Sequence, residues 1–239
     1  MIRRGGSIDR AARRVYRLLV SGDAKPPREL IPIDDADDII PGISQQTVSL
    51  KTFGRKWGDL GDLETLVLLC QLAALNDSPI VEFGTFRGRT TYNLALNAPR
   101  GPVISIDAGV TDDSVANIWG LSYPQYTPGE LLRHAPEEVS SKIHLLRGDS
   151  RQLDLSTYYD SCGLVFVDGG HSYEVCMSDS LVALKLVGPG GVVIWDDFGL
   201  YWPGVQRAVF DLSRKHKIYH LRKLSAALFV NQRESAKSV

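Results

Sequence analysis

The stretch Val81-Glu82-Phe83-Gly84-Thr85-Phe86-Arg87-Gly88-Arg89-Thr90-Thr91 constrains the fold of this 239-residue chain most tightly. Before it, Pro79-Ile80-Val81 is a short apolar run bounded by the turn formers Asn76-Asp77-Ser78. After it, Tyr92-Asn93-Leu94-Ala95-Leu96 keeps helix-forming character up to Pro99-Arg100-Gly101-Pro102. That order predicts strand, tight glycine turn, helix. A turn of this kind lets backbone amides approach a ligand with no Cβ in the way, and the helix behind it points its own free amides there. The spacing is Glu-x-Gly-x-x-x-Gly, with Glu82 where dinucleotide binders carry their first glycine. A carboxylate at that point repels a pyrophosphate and suits a cationic ligand. The turn therefore favours a nucleoside without phosphates and disfavours a nicotinamide oxidoreductase.

The next apolar run, Val103-Ile104-Ser105-Ile106, ends in Asp107, 25 residues after Glu82. An acid at the tip of a second strand is well placed to hydrogen-bond ribose hydroxyls. A third strand, Ile143-His144-Leu145-Leu146, ends at Gly148-Asp149-Ser150, and a fourth, Gly163-Leu164-Val165-Phe166-Val167, at Asp168-Gly169-Gly170-His171. A helix is expected over 173–187, closed by Gly188-Pro189-Gly190-Gly191. A fifth strand, Val192-Val193-Ile194-Trp195, then runs into Asp196-Asp197. Residues 205–216 read as helix, 217–223 and 226–231 as a hairpin at the sheet edge, and 233–239 as a frayed tail. Strands alternating with helices imply an α/β core over 61–232, built on a mostly parallel sheet of seven strands covered on both faces.

Residues 1–60 form an N-terminal arm. Ser7 caps a helix expected over 8–20, where Ile8, Ala12, Val15, Leu18 and Leu19 share a stripe. The stripe leaves open a homodimer contact, with packing on the chain's own domain the favoured reading. Residues 21–49 carry Pro26-Pro27, Pro32, Pro41-Gly42 and the acids Asp34, Asp35, Asp37 and Asp38. They read as an irregular arm with a solvated acidic turn, lacking the central glycine of a calcium loop. Asp59 or Asp62 can cap a helix running to Ala74. The segment 108–141 is longer than an ordinary strand-to-helix link and carries Trp119, Tyr123 and Tyr126. It reads as a lid over an acceptor or as a subunit contact or minicore. Its Thr127-Pro128-Gly129-Glu130 matches a capping box with proline at the first helical position.

A formal net charge of -1 gives no electrostatic footprint for nucleic acid or an anionic membrane. No apolar run reaches 18 residues, so none spans a bilayer. Cys70, Cys162 and Cys176 are scattered and odd in number, which favours free buried thiols in a reducing, cytoplasmic setting.

Four successive strand ends carry acids: Asp107, Asp149, Asp168 and the pair Asp196-Asp197. Ligands of open parallel sheets bind at that edge. Gathering carboxylates there costs repulsion unless a cation offsets it. Asp168 and Asp196-Asp197 fall on neighbouring strands, and three carboxylates without cysteine suit a hard ion such as Mg²⁺. His171 reads as a further ligand, a base or a satisfied turn histidine.

The turn and the Asp107 spacing together resemble the class I S-adenosylmethionine-dependent methyltransferases, which implies a Rossmann-like doubly wound core. The likeness places the cofactor at Glu82, Gly84, Thr85, Phe86, Gly88, Asp107, Ala108, Asp149, Ser150 and Asp168. Asp149 matches a position that often contacts the adenine amine; it also reads as an Asp cap of the next helix, and the two readings are compatible. Phe166-Val167-Asp168-Gly169-Gly170-His171-Ser172-Tyr173-Glu174, Trp195-Asp196-Asp197-Phe198-Gly199 and Trp202-Pro203-Gly204-Val205-Gln206-Arg207-Ala208-Val209 are similar to the macrocin O-methyltransferase group. Catechol and caffeoyl-CoA O-methyltransferases share the broader plan. The resemblance covers roughly 81–229. It implies O-methylation of a small-molecule hydroxyl, Mg²⁺ on Asp168, Asp196 and Asp197, and a proton taken by His171 or Asp168.

Overall fold

A computed structural model describes residues 31–54, 63–109, 126–199 and 202–232. In chain order the elements are β1 (Ile33–Asp34), α1 (Ala36–Ile39), α2 (Leu63–Ala74), β2 (Ile80–Phe83), α3 (Arg89–Asn97), β3 (Val103–Asp107), α4 (Glu137–Ser140), β4 (Ile143–Arg147), β5 (Cys162–Val167), α5 (Tyr173–Leu186), β6 (Val187–Trp195), α6 (Pro203–Ser213), β7 (Ile218–Leu221) and β8 (Ala227–Val230). The helix expected over 8–20, the caps Asp59 and Asp62, the aromatics Trp119 and Tyr123, and the tail 233–239 lie outside the described residues.

The β-branched runs become strands because both faces of each are covered, as a parallel sheet requires. Along β2, Val81 and Phe83 enter one core with Val165, Val167, Val193, Trp195 and the inner faces of α5 and α6. Ile80 enters the other, with Leu164, Phe166, Ile194 and the inner faces of α2 and α3. This two-residue alternation sends Glu82 toward α3. Each large apolar side chain so buried contributes roughly 1.5–3 kcal/mol. The indole of Trp195, fully buried, donates to Ser180 Oγ at 2.8 Å, so the one polar atom of that side chain is satisfied.

The sheet order is β1-β7-β8-β6-β5-β2-β3-β4. The strands β6, β5, β2, β3 and β4 run parallel, with Val167 beside Trp195, Phe83 beside Val167 and Asp107 beside Arg147. The hairpin β7-β8 joins antiparallel against β6. The expected seven strands are eight, because β1 from the N-terminal arm pairs parallel with β7. Two residues are too few to show a period, and β1 is held by neighbouring bonds, Arg222 N–H to Asp34 O at 2.9 Å among them.

Two further expectations are corrected. The helix of 173–187 ends at Leu186, and Gly188-Pro189-Gly190-Gly191 lies inside β6 rather than before it. Asn231 makes this workable: its carboxamide donates to the carbonyls of Val187 and Gly188, and its own carbonyl accepts from Gly190 N–H. Thr127 and Glu130 do not form a capping box. Gly129 takes a left-handed φ of 72°, a 3₁₀ turn runs over Glu130–His134, and the Glu130 carboxylate goes to Arg87. The acidic run, read as a solvated turn, is instead partly in regular structure: Asp34 ends β1, Asp37 and Asp38 lie in α1, and Asp37 accepts from Ser44 N–H at 3.2 Å.

Candidate active site

The glycine turn sits at the carboxyl end of central strand β2. Gly84 has φ 98°, and a Cβ there would lie 2.1 Å from the Asp168 carbonyl oxygen, so the turn packs directly on the end of β5. Gly88, φ 90°, begins α3, and a Cβ would press on Leu132 at 2.9 Å. Phe86 between them adopts φ 48°, uncommon for a bulky residue, and its ring is 37% exposed on the ligand edge. The turn is fastened to the second half of the 108–141 insertion: Phe86 O accepts from Gly129 N–H, Arg87 O from Leu131 N–H, and the Arg87 guanidinium pairs with Glu130 at 2.6 Å.

Glu82 lies beneath this turn, fully buried. Its Oε2 accepts the hydroxyls of Thr91 and Ser105, each at 2.5 Å, while Oε1 has no partner among the described residues. Thr85 Oγ1 lies 2.6 Å from Ser105 Oγ and completes the cluster. Burial, against these hydrogen bonds, pushes the Glu82 carboxyl up to about 7.

Asp107, at the tip of β3, is tied to the turn. Its Oδ2 accepts from Phe86 N–H and its Oδ1 from Gly109 N–H, both at 2.6 Å, with Tyr126 OH at 3.4 Å from Oδ1. Ala108 beside it is exposed. Tyr126 was not singled out from sequence as a site residue, yet its ring meets Phe86 at 4.6 Å between centroids. The Asp149 carboxylate caps the 3₁₀ turn Ser150–Gln152 and is held in a fork by Arg151, Nε at 2.8 Å and Nη2 at 2.6 Å. The expected cap is thus formed, on a 3₁₀ turn rather than a helix. Ser150 donates to Asp179 Oδ1 at 2.5 Å.

The ends of β5 and β6 bring the remaining candidates together. Asp168 and Asp196 line one small cleft with Val167, Gly169, Gly170 and His171. Asp197 has φ 55°, a left-handed conformation that an aspartate tolerates, and its Oδ2 lies 2.6 Å from His171 Nε2. The imidazole stacks on Trp202, centroids 4.0 Å apart and planes 28° from parallel. Gly204 permits that packing, since a Cβ there would stand 2.3 Å from the His171 carbonyl oxygen. Asp168, His171 and Asp197 offer ligand atoms that all lie within 4.8 Å of one another. From sequence the trio expected was Asp168, Asp196 and Asp197; in the structure His171 joins the tight group and Asp196 lines the cleft beside it. Burial, then the like charges of Asp196, Asp197 and Glu82, hold the Asp168 carboxyl well above the usual carboxylate range.

Cys70, Cys162 and Cys176 are all buried free thiols, each pushed up to about 12 by burial. No helix among the described residues is long and apolar enough to cross a membrane.

Residues 81–198 match a family model described as a methyltransferase domain. An uncharacterized protein of Acanthamoeba polyphaga mimivirus is 25% identical over 147 residues, covering 57% of this chain and 62% of that protein. The chain thus spans less than two thirds of the length of that curated relative. Among solved structures, CalS11, a calicheamicin methyltransferase, superposes with a TM-score of 0.55 at 16% identity, covering 96% of this chain and 94% of its own. The O-methyltransferase TomG from Streptomyces achromogenes, in complex with S-adenosylmethionine, gives a TM-score of 0.51 at 18% identity, covering 94% and 99%. These likenesses fix the fold, and the matched segment carries the glycine turn, Asp107, Asp168 and the Asp196-Asp197 pair within it. Residues 81–198 thus match a methyltransferase domain, carried on a Rossmann-like methyltransferase fold.

Proposed function

We propose that this methyltransferase acts on a hydroxyl oxygen of a small molecule, with His171 as the base and Asp168, Asp196 and Asp197 able to hold a divalent cation. The observation that carries the reading is the 2.6 Å contact of His171 Nε2 with Asp197 Oδ2, at the lip of the cleft that Asp168 and Asp196 line. A neutral hydroxyl is a poor nucleophile, a phenol having a pKa of about 10. It needs a base within reach, and an imidazole oriented by a carboxylate is the commonest one.

With Nε2–H donated to Asp197, the Nδ1 lone pair is free to take the hydroxyl proton, and the imidazolium that forms stands beside the Asp197 carboxylate. Trp202 holds the ring plane by stacking, so the base is positioned before the acceptor arrives. S-adenosylmethionine supplies a methyl carbon on a sulfonium, so the oxygen's electron pair forms the new C–O bond as the C–S pair leaves on sulfur.

The donor set fits a hard divalent ion: carboxylates crowd one corner, Asp168 is strained toward its neutral form by its neighbours, and Asp197 Oδ1 is not the oxygen committed to His171. Such an ion would lower the pKa of a bound hydroxyl, as metals bring that of water from 15.7 to about 7. The same His171–Asp197 contact also supports a metal-independent variant in which the imidazole alone takes the proton. The acceptor class, a hydroxyl, accords with CalS11, described as a TDP-rhamnose 3′-O-methyltransferase. The buried free thiols support a reducing, cytoplasmic setting.

The test is methyl transfer from labelled S-adenosylmethionine to a panel of sugar, phenol and natural-product hydroxyls. His171→Ala should cut transfer by about 10²- to 10⁴-fold, the usual contribution of a positioned base, with cofactor binding retained. Transfer at the parent rate would remove His171 from the chemistry. Chelation followed by Mg²⁺ readdition separates the metal-assisted form from the metal-independent one.

A further inference from the structure

Residues 49–53 belong to no helix or strand, yet they are fastened along α3. Ser49 N–H donates to Asn97 Oδ1 at 2.8 Å, and Asn97 Nδ2 donates back to Ser49 O at 2.8 Å. Two residues on, Lys51 N–H donates to Asn93 Oδ1 at 2.7 Å, and Asn93 Nδ2 donates to Lys51 O at 3.1 Å. Each carboxamide acts as the facing residue of a β-ladder would. The spacing allows it, because two residues of extended chain advance roughly 6.6 Å and four residues of helix about 6.0 Å. Upstream, Gln71 of α2 donates to the carbonyls of Ser44 and Gln46, both at 3.3 Å, and so guides this strap onto α3.

The pairing runs antiparallel to α3, so the strap leads toward the first turn of that helix and the glycine turn before it. There the Phe53 ring meets Tyr92 edge-on, centroids 5.4 Å apart. The residues so gripped reach further. Tyr92 N–H donates to Gly88 O at 3.0 Å, and Asn93 Nδ2 donates also to Arg89 O at 2.9 Å. Gly88 closes the glycine turn, in which Gly84, Phe86 and Gly88 all hold positive φ. Such backbone is costly and persists only where its surroundings over-determine it. The bonds from Gly129 and Leu131 brace the turn itself, and the strap braces the helix that leaves it. Asn93 is fully buried, so undocking the strap strips its carboxamide of the two bonds that Lys51 supplies.

We propose that residues 49–53 are a ligand-linked strap, with Asn93 and Asn97 as positioning residues. The strap docks more tightly when the S-adenosyl nucleoside fills the glycine turn, and the nucleoside binds more tightly when the strap is docked. This rests on the cofactor reading of that turn. A nucleoside seated on the turn's amides favours one arrangement of residues 84–89, and a docked strap favours the same one. Each therefore finds part of the other's ordering already done, and the two effects are equal in size.

The experiment is amide hydrogen exchange of the full chain by NMR, read at Ser49 and Lys51 with and without saturating S-adenosylhomocysteine, beside calorimetric titration of the same samples. The ligand should slow Lys51 exchange by a factor between about 5 and 150, the common span of such couplings. Asn97→Ala removes both bonds to Ser49 and should speed Lys51 exchange by about 25-fold, at about fivefold per hydrogen bond. It should weaken S-adenosylhomocysteine in proportion to the docked fraction lost, up to the factor that exchange reports in the parent. Ser49→Pro, which removes the N–H from the strap's own side, should do the same and stands in if the alanine variant does not accumulate folded. A strap that only adds stability would lower the melting temperature of both variants and leave affinity alone, and that outcome overturns the proposal. So does Lys51 exchange that bound ligand leaves unchanged, or a Lys51 amide as protected in both variants as in the parent. A parent that does not bind S-adenosylhomocysteine overturns the cofactor reading, and the proposal with it.

Discussion

Replacing Glu82 by Gln tests the electrostatics beneath the glycine turn. The carboxyl is fully buried, and its value is raised from 4.5 to about 7. A raised carboxyl means the folded state holds the proton more tightly than the unfolded chain. Its contribution to stability is therefore fully present below about pH 4.5 and is lost as pH rises through about 7. At about 1.4 kcal/mol per unit, the loss between pH 5 and pH 8 is roughly 2 kcal/mol. Gln cannot titrate, and its carboxamide oxygen can still accept from Thr91 and Ser105. Its amide nitrogen falls where Oε1 has no partner among the described residues, a cost that does not depend on pH. Urea unfolding of parent and variant at pH 5 and pH 8 should show the stability difference shifting by roughly 2 kcal/mol in favour of the variant at the higher pH. Profiles parallel to within about 0.5 kcal/mol, the usual additivity error, would refute the reasoning.

The same ionisation reaches the ligand: S-adenosylmethionine, a cation, should gain affinity relative to neutral-sulfur S-adenosylhomocysteine as pH passes about 7, and Glu82→Gln should flatten that ratio in calorimetry. Gly84→Ala should cost at least about 1–3 kcal/mol from its φ of 98° alone, plus the collision with the Asp168 carbonyl. Thermal denaturation should show the loss, and the variant should no longer bind S-adenosylhomocysteine. Trp202→Ala, which unstacks His171, should lower the transfer rate while leaving cofactor affinity unchanged, and Trp202→Phe should restore part of that rate.

The parallel core was legible because its strands are continuous β-branched runs, each ended by glycine or an acid, and burial on both faces leaves no other pattern. What sequence missed was set by distant partners. Ile33–Asp34 is too short to carry a period and becomes a strand only against β7. Gly188-Pro189-Gly190-Gly191 reads as a break, yet Asn231, more than forty residues away, supplies the bonds that keep it in β6. Thr127-Pro128-Gly129-Glu130 looks like a cap until Arg87 claims the Glu130 carboxylate. In the site, Asp107, Asp168, Asp196, Asp197 and His171 were visible as strand-end residues, where the topology dictates that ligands lie. The buried Asp179, which takes the Ser150 hydroxyl, was not, because an acid inside a mixed helix looks like any solvated helix face. Its burial appears only once the turn Ser150–Gln152, after β4, packs on α5.

The rim of acids read from sequence suggests a broad negative edge, but the structure disposes of most of that charge locally. Asp149 is met by the Arg151 guanidinium, Asp107 accepts two backbone amides, and Glu82 is pushed toward its neutral form. At the corner where β5 and β6 end, Asp168 is likewise pushed toward its neutral form by burial and Asp197 meets His171 at 2.6 Å, so the long-range pull on a cation is weak and short in reach. Selectivity for a positively charged sulfur must then come from close contact at that corner rather than from steering over the whole edge. That corner is also where His171 is held by Asp197 and Trp202. The attraction for the methyl donor and the proposed base thus act on the same few ångströms, which is the juxtaposition that an in-line transfer from sulfur to oxygen requires.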